Sequence, residues 1–367
     1  MKVALLAGAH SVHTLRWANG LAATGAEVHL ISAHRLAGAL DDTVMFHPLP
    51  VRAPWGYLAA AGSLRGVLRR IGPDILNAHY ATGYGLLARL SRFRPLLLSM
   101  WGSDVYDFPQ KSFFHRRFLA MNLKHANALA STSMCMARQS AETWAHAHVF
   151  ITPFGIDEER FTPMRRHADA RCLVLGTVKA LKNKYGVDTL IEAFALAQAQ
   201  LAPRTVRLEI TGTGPEEGAL KALAARLGVA DSVIFHGAVE HERIPLMLDR
   251  LDIFAALSRL DSESFGVAIL EAAAAGKPVV VSDADGPAEV TIDGSTGFIV
   301  RRNDPMAAAS AIVQLARSPE LMREMGEAGR RHVLTHYTWT RSVALMCEAY
   351  RKTILLHRGE SEAGLTA

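Results

Sequence analysis

The stretch that decides the fold is DSESFGVAILEAAAAGKPVVVSDADGP, residues 261–287. The serines on either side of Glu263 supply turn and capping chemistry ahead of a helix, and the alanine-rich run that follows favours helix. Gly276 predicts the end of that helix, since glycine readily takes the backbone conformation with which many helices close. The valines at 279–281 then predict a short buried strand. The stretch therefore predicts a loop, a helix and a strand in that order.

Two glutamates stand eight positions apart in this stretch. Glu263 lies in the predicted loop, and Glu271 lies one to two turns into the predicted helix. A helix N-terminus attracts phosphate, because its unpaired N–H groups and the macrodipole point there. A carboxylate beside such a site can accept hydrogen bonds from both hydroxyls of a sugar diol. The combination suits a sugar–nucleotide ligand, although the glutamate pair alone fits an ordinary αβ unit with a solvated Glu263 equally well.

Apolar strand patterns alternate with helical segments along the whole chain, which predicts doubly wound parallel sheets. The predicted strands of the first half are 3–7, 27–32, 75–79, 96–100, 128–132 and 149–152, and those of the second half are 172–178, 207–211, 233–236, 253–256, 278–282 and 297–300. The segment 152–171 has two prolines, many charges and no clean periodicity, so it is the predicted linker. The fold class predicted is α/β, with two Rossmann-like domains.

The chain has 367 residues, of which half are apolar and a fifth are charged. This is the balance of a globular protein long enough for two domains. Cys135, Cys172 and Cys347 are scattered without metal-ligand spacing, which favours a reducing compartment and no disulfide scaffold. The apolar run at the N-terminus is too short for a signal peptide, and no stretch is long and apolar enough to span a bilayer. We therefore expect a cytoplasmic protein.

The net charge of +5 is unevenly distributed. Residues 1–165 hold 17 Lys/Arg and 10 Asp/Glu, and within 52–138 the count is 12 basic against 3 acidic residues. Such a basic face suits nucleic acid, an anionic membrane surface or a phosphorylated acceptor. No helix-turn-helix pattern and no interleaved aromatic residues accompany it, so nucleic acid is not expected as a partner. An anionic membrane at which the protein would sit peripherally fits better.

The segments SESFG, ILEA, GKPVVVSD and GPAEVTIDGSTGFIV, within about 259–300, resemble the donor-binding segment of glycosyltransferase family 4. Members of this family are retaining group 1 glycosyltransferases that use nucleotide sugars and have the GT-B fold, two Rossmann-like doubly wound domains facing across a cleft. The resemblance implies an acceptor domain at 1–165 and a donor domain at 166–338. It also implies a terminal segment, 339–367, with a helix that packs back on the first domain and a frayed tail.

The resemblance also implies roles for residues of the donor domain. Glu271 would bind the ribose diol and Glu263 the sugar hydroxyls, while Lys179 and Lys184 would stabilise the leaving diphosphate. The family usually carries an arginine where Thr177 stands here, so we assign the diphosphate to these two lysines and expect Lys182 to be solvated. The residues expected around the nucleotide, sugar and distal phosphate are Gly8, Gly212, Gly214, Ser264, Phe265, Gly266 and Val267.

On the acceptor side, His79 and Asp104 follow two predicted strands, at the sheet edge where doubly wound proteins bind ligands. We expect both to act on the acceptor, although His79 also fits a core role and Asp104 also fits a capping role. Asn77 and Trp101 stand where the family often has histidines, and Trp101 is a candidate for stacking on a sugar ring. Asp283 and Asp285 mimic a D-x-D metal motif, but the family typically needs no metal, so neither a metal nor another cofactor is expected.

Together these features predict a retaining hexosyltransferase. It would move a hexose or N-acetylhexosamine from a nucleotide-diphosphate sugar, with UDP as the expected nucleotide, to a lipid-linked or cell-surface polysaccharide precursor at the inner membrane face. Two alternatives remain open at this point. One is a GT-B-type nucleotide-sugar epimerase, which would turn over the donor without an acceptor. The other is a catalytically silent protein that binds a glycan or a nucleotide sugar.

Overall fold

The structure is a computed structural model, and it describes residues 1–50, 56–164 and 172–360. The chain forms two compact units, the first consisting of Met1–Pro153 and the chain from Thr340 onward, the second of Phe154–Trp339. Each unit is built around one parallel β-sheet flanked by helices. These two Rossmann-like domains are those of the GT-B fold.

The sheet of the first unit has seven parallel strands in the order β3-β2-β1-β4-β5-β6-β7. The strands are β1 (Lys2–Leu6), β2 (Glu27–Ser32), β3 (Met45–Pro48), β4 (Ile75–His79), β5 (Leu96–Ser99), β6 (Ala128–Ser131) and β7 (Val149–Ile151). β1 lies between β2 and β4, with Val3 paired to Val28 on one side and to Ile75 on the other. The strand order therefore reverses beside β1, and ligands of doubly wound sheets bind at the carboxyl ends of strands around such a point.

The sheet of the second unit has six parallel strands in the order β10-β9-β8-β11-β12-β13. They are β8 (Cys172–Val178), β9 (Thr205–Thr211), β10 (Val233–Gly237), β11 (Ile253–Ala256), β12 (Val279–Ser282) and β13 (Gly297–Val300). Here the order reverses between β8 and β11, which are paired directly through Leu175 and Ile253. The corresponding ligand position is therefore expected where the chain leaves β8 and β11.

Helices cover both sheets because their apolar faces pack on strands that are buried on either side. The first unit has α1 (Val12–Ala22), α2 (Tyr57–Ile71), α3 (Gly83–Ser91), α4 (Phe113–His125), α5 (Met134–Thr143) and the last helix, α13 (Trp339–Arg358). The second has α6 (Val187–Leu201), α7 (Glu217–Arg226), α8 (Ile244–Asp249), α9 (Val267–Ala274), α10 (Asp285–Val290), α11 (Pro305–Arg317) and α12 (Pro319–His336). None of the helices in the described ranges is long and apolar enough to cross a membrane.

The strands predicted from the sequence agree with the structure to within two residues at each end, and β3 is the strand that was missed. The units divide at Pro153, whereas the sequence suggested a border at residue 165. The difference has a physical cause, since Phe161 is buried and its carbonyl accepts a hydrogen bond from Arg330 of α12. Residues 165–171 of the predicted linker and residues 361–367 of the predicted tail lie outside the described residues.

One buried hydrogen bond ties the last helix to the first sheet. The Tyr350 hydroxyl of α13 is fully buried and donates to Asn77 Oδ1 of β4 over 3.0 Å. Burial raises the pKa of the Tyr350 phenol well above its ordinary value, so the hydroxyl stays protonated and remains a donor. This helix therefore belongs to the first unit through a specific polar contact as well as through apolar packing.

We expect Tyr350→Phe to lower the free energy of unfolding by about 1 kcal/mol, because a buried hydrogen bond is lost without creating a cavity. The matched control is Tyr80→Phe, which removes the hydroxyl of a tyrosine that is 36% exposed and should cost about 0.5 kcal/mol or less. Urea denaturation followed by circular dichroism measures both. Equal losses in the two variants would contradict the contribution assigned to the Tyr350 hydroxyl.

Candidate functional site

An ion pair joins the two chain segments that leave β8 and β11. Lys179 follows β8 directly, and Glu263 lies in the loop between β11 and α9, as the sequence predicted. The Lys179 ammonium is 2.5 Å from Glu263 Oε1, and the two side chains are only 10% and 12% exposed. The pair stands at the point where the strand order of the second unit reverses, which is where a ligand is expected.

A second lysine lies close to the first. Lys179 and Lys184 place their ammonium groups 5.0 Å and 4.8 Å from the ring centre of Tyr185. The structure therefore brings together the two cations that were expected to bind the diphosphate. Lys182, between them in the sequence, is exposed, in line with the expectation that it is solvated. Both ammonium groups lie within 5.0 Å of the centre of the Tyr185 ring, and Tyr185 was not predicted as a site residue.

Glu271 is held by a histidine that the sequence reasoning missed. The Glu271 side chain is 6% exposed, and its Oε1 lies 3.0 Å from His241 Nε2, whose ring packs 6.0 Å from that of Phe161. Because a carboxylate oxygen only accepts, the His241 Nε2–H donates to Glu271. His241 stands in the segment FHGAVEHERIP, which begins within β10. A histidine in a turn carries no periodicity that would have marked it.

Helix α9 begins at Val267, and Gly266 forms its N-cap at a φ of +85°. Among the residues that the structure describes, no acceptor is recorded for the backbone N–H groups of Phe265, Gly266 and Val267. Ser264 and Phe265 are buried at 6% and 5% exposure. These N–H groups are those that the sequence assigned to the sugar and the distal phosphate, and they lie next to Glu263.

Gly286 of α10 supports this loop and was not identified from the sequence. A Cβ atom at Gly286 would lie 2.2 Å from the Glu263 carbonyl oxygen and 2.4 Å from the Phe265 nitrogen. Atoms cannot approach so closely, so any larger residue would displace the loop that carries Glu263. The close approach of α10 is therefore one condition for the position of the glutamate.

Gly212 and Gly214 lie where two backbone segments of the second unit pass close to each other. A Cβ atom at Gly212 would lie 1.9 Å from the Lys179 carbonyl oxygen, and one at Gly214 would lie 2.2 Å from the Leu181 carbonyl oxygen. The two glycines are required because the backbone after β8 passes close to that after β9. They position the Lys179 segment, and their expected place beside the nucleotide stays a prediction.

In the first unit, a cavity of about 420 Å³ opens where the strand order reverses beside β1. Its lining includes Gly8, His10, His34, His79 and Trp101, together with Ser11, Thr14, Tyr80 and Tyr84. The His10 and His34 rings are 4.3 Å apart, and the Trp101 ring lies 5.1 Å from that of His79. The cavity thus combines polar groups with an aromatic face, as sugar-binding pockets do. Gly8 borders this cavity, where a Cβ atom would lie 2.8 Å from the His10 ring.

His79 is held in one neutral form. Its Nε2 lies 2.7 Å from Asn77 Oδ1, which only accepts, so Nε2 carries the proton. Burial lowers the pKa of His79 to about 3. Its Nδ1 has no hydrogen-bond partner among the described residues, although it is buried. His79 is therefore a poor general base, and it keeps an unused acceptor lone pair on a residue that lines the cavity. Asn77, which stands where the family often has histidine, holds this arrangement in place.

Asp104 connects two loops and does not line the cavity. Its carboxylate is fully buried and accepts hydrogen bonds from the backbone N–H groups of Ala81 at 2.7 Å, Gly102 at 2.8 Å and Trp101 at 3.1 Å. Burial raises the pKa of Asp104, and these backbone donors oppose the rise. Its oxygens are thus engaged by the turns after β4 and β5. These contacts are structural and favour the capping role for Asp104, and its expected role on an acceptor hydroxyl stays a prediction.

The D-x-D segment is engaged by arginine. Asp283 Oδ1 accepts from Arg302 Nε at 2.9 Å, and Arg302 also forms an ion pair with Asp261 at 2.9 Å. Burial opposes ionisation of Asp283, but the Arg302 contacts outweigh it and lower the pKa of the carboxyl. Within the described ranges, no group of three or more His, Cys, Asp or Glu residues is arranged to hold a metal ion.

The geometry defines an α/β protein of the GT-B fold with a phosphate- and sugar-compatible cluster in its second unit. Comparison with known families agrees with this. Residues 166–332 match the family model described as glycosyl transferases group 1, and residues 2–133 match the model described as glycosyl transferase 4-like. Each match covers less than half of the chain, and both models describe glycosyltransferases.

The chain is also similar to glycosyltransferase relatives, and a solved structure shares its fold. The chain is 33% identical over 212 residues to the GDP-mannose-dependent alpha-(1-6)-phosphatidylinositol monomannoside mannosyltransferase of Mycolicibacterium smegmatis, covering 53% of this chain and 54% of the relative. It is 24% identical over 340 residues to the N-acetyl-alpha-D-glucosaminyl L-malate synthase of Bacillus anthracis, covering 86% and 87%. The structure of sucrose-phosphate synthase from Thermosynechococcus elongatus superposes with a TM-score of 0.81 at 19% identity, covering 96% and 98%. The chain thus spans about half the length of the first of these relatives.

We expect Asp104→Ala to lower the free energy of unfolding by about 3 kcal/mol or more, because three buried N–H groups lose their acceptor. The matched control is Asp107→Ala, which removes an exposed carboxylate from the same loop and should change stability by about 0.5 kcal/mol or less. Urea denaturation measures both. A variant at position 104 that is as stable as the parent but inactive would instead favour a direct role on the acceptor.

Proposed function

We propose that the protein is a retaining glycosyltransferase that moves a hexose or N-acetylhexosamine from a nucleotide-diphosphate sugar, in the first place a UDP-sugar, to a lipid-linked or cell-surface polysaccharide precursor. The observation that carries the proposal is the buried Lys179–Glu263 pair at the strand-order reversal of the second unit. The matches to the models for glycosyl transferases group 1 and glycosyl transferase 4-like proteins support the reaction class. The name of one relative specifies GDP-mannose, so the base is a point to test.

The donor would be bound by charge and hydrogen bonding on separate parts of the cluster. Lys179 and Lys184 would take the diphosphate, because phosphate oxygens attract cations and bond strongly to them. Glu263 would accept from the sugar hydroxyls once the phosphates compete for its lysine. Glu271, held by His241 through one oxygen, would offer its other oxygen to the ribose diol. The backbone N–H groups of Phe265, Gly266 and Val267 would meet the sugar and the distal phosphate.

Catalysis in this arrangement would rest on stabilising the leaving group. Negative charge grows on the distal phosphate as the anomeric bond breaks, and fixed cations beside it lower the barrier. Retention would follow from attack on the face from which the phosphate departs, with that phosphate taking the acceptor proton. His79, as a neutral hydrogen-bond acceptor, would orient an acceptor hydroxyl rather than remove its proton.

Thermal shift with UDP-, GDP- and ADP-sugars tests the donor assignment. We expect one nucleotide series to raise the melting temperature, since a ligand that binds only the folded protein stabilises it. Nuclear magnetic resonance of the product should then show the anomeric configuration of the donor. No shift with any of the three series would overturn the donor site. Turnover of the donor in the absence of an acceptor would favour an epimerase.

We expect Lys179→Met to weaken binding of the productive nucleotide sugar by roughly tenfold to a hundredfold, because a charge-assisted hydrogen bond to phosphate is lost. Lys182→Met is the matched control, since it removes an exposed lysine from the same loop and should leave affinity within about twofold. Isothermal titration calorimetry measures both. If the two variants lost affinity equally, the ammonium of Lys179 would not be the group that binds the diphosphate.

A further inference from the structure

Two neighbouring aromatic side chains stand exposed at the start of α4. Phe113 is 72% exposed and Phe114 is 79% exposed, and their rings contact each other at 5.9 Å. Exposing two adjacent phenylalanine side chains to water is unfavourable in free energy, because each leaves a large apolar surface hydrated. They indicate a surface that is covered in some functional state.

The exposed side of α4 continues from these rings as a stripe of alternating apolar and basic residues. Phe114, Arg117, Met121 and Lys124 follow one another at spacings of three and four, so they lie along one side of the helix. The opposite side is anchored by the buried Leu119 and Leu123. The helix contains no acidic residue, and no side-chain partner of Arg117 is recorded within the described ranges.

The stripe ends in a strongly basic cavity of about 560 Å³, which Met121 and Lys124 help to form. Its other basic lining residues are Arg65, Arg89, Arg92, Arg94 and His125, and no carboxylate lines it. The recorded hydrogen-bond acceptors of the arginines that line this cavity are neutral carbonyl and amide oxygens. Arg65 donates to the Leu90 carbonyl at 2.6 Å, and Arg94 donates to the His125 carbonyl at 2.7 Å. The positive charge of the cavity is therefore uncompensated by its lining.

The direction of α4 shows which end of its exposed side lies nearer to the cavity lined by His79 and Trp101. Strands β5 and β6 are parallel, so α4, which connects them, starts at the carboxyl ends of the strands and runs back to their amino ends. Its exposed phenylalanines thus lie at the end of the first unit where that cavity opens, and the basic cavity lies at the other end. A flat surface that lies along α4 would therefore contact the two phenylalanines at one end and the basic cavity at the other.

We propose that the α4 face, defined as Phe113, Phe114, Arg117, Met121, Lys124 and the basic cavity, docks on an anionic lipid bilayer. The phenylalanine rings would enter the boundary between headgroups and acyl chains, and the arginines would bind lipid phosphates. Stable peripheral binding needs both an apolar and a basic signal, and this face supplies both. The inference goes beyond the proposed function and does not depend on donor binding.

The α4 face fits other macromolecules less well. A nucleic acid would gain from the arginines but would leave the adjacent phenylalanines without bases to stack on in register along the stripe. A protein partner would need a surface that combines acidic groups with an apolar pocket for the two phenylalanine rings. Charge and exposed aromatic area together favour the bilayer.

Co-sedimentation with vesicles tests the proposal on the full chain. We expect binding to vesicles of equal parts phosphatidylcholine and phosphatidylglycerol at physiological salt, and little binding to phosphatidylcholine alone. Failure to bind the anionic vesicles, or equal binding to both compositions, would overturn the proposal. Stronger binding to duplex RNA than to the anionic vesicles, with displacement of the protein from them, would overturn it in favour of nucleic acid.

Two pairs of variants locate the binding surface. Phe113→Ser/Phe114→Ser should lower the vesicle partition coefficient roughly tenfold, and the matched control Leu246→Ser/Met306→Ser removes two exposed apolar side chains of the second unit. Arg92→Asn/Arg117→Gln should lower it on the order of tenfold, and its matched control is Arg226→Gln/Arg331→Gln. Asparagine suits position 92, where φ is +60°.

Both controls should bind vesicles as the parent does. Losses as large in the controls as in the test variants, or loss in the arginine variant without loss in the phenylalanine variant, would overturn the proposal. The melting temperature of each variant checks its folding, and the shift with nucleotide sugar checks the second unit separately. A protein that binds vesicles but no nucleotide sugar would refute the proposed function and leave this inference standing.

Discussion

The second unit depends on one ion pair that ordinary stability arguments do not explain. Lys179 and Glu263 are nearly buried and lie 2.5 Å apart, and removing two such charges from water costs several kcal/mol per ion, which their attraction repays only in part. Apolar residues would hold the two loops together as well. The pair is better understood as a charged site held ready, in which a ligand with phosphates and hydroxyls can satisfy both partners at once.

Holding that pair requires backbones to pass within contact distance of one another. Gly212 and Gly214 allow the segment after β9 to approach the Lys179 segment, and Gly286 allows α10 to approach the Glu263 loop. The constraint is steric, because a single methyl group at any of the three would overlap a carbonyl oxygen. The position of the charges is therefore set by residues that carry no charge, and rigid support of this kind is what electrostatic stabilisation of a leaving group needs.

The sequence predicted the parts of the fold that have a periodic pattern, and it missed those that do not. Fully buried strands such as β12 begin with an unbroken run of valines, whereas Met45–Pro48 is an edge strand with partly exposed residues and a proline. In the candidate site, Glu263, Glu271 and Lys179 were found through local motifs. His241 and Gly286 make their contacts with residues that are distant in the sequence, so no local motif predicts them. The hydrogen bonds of Asp104 likewise depend on how two loops lie in the fold.

The first unit differs from the second in how it carries charge, and this difference bears on the acceptor. The second unit pairs its cations with carboxylates around the candidate donor site, as Lys179, Arg259 and Arg302 show. In the first unit, the arginines of the basic cavity rest on neutral carbonyls and amides. Uncompensated charge of this kind attracts polyanions over a distance and is screened by salt. A bilayer docked along α4, as proposed, would present a lipid-borne acceptor at the end of the sheet where His79 and Trp101 lie, so the acceptor would arrive already oriented.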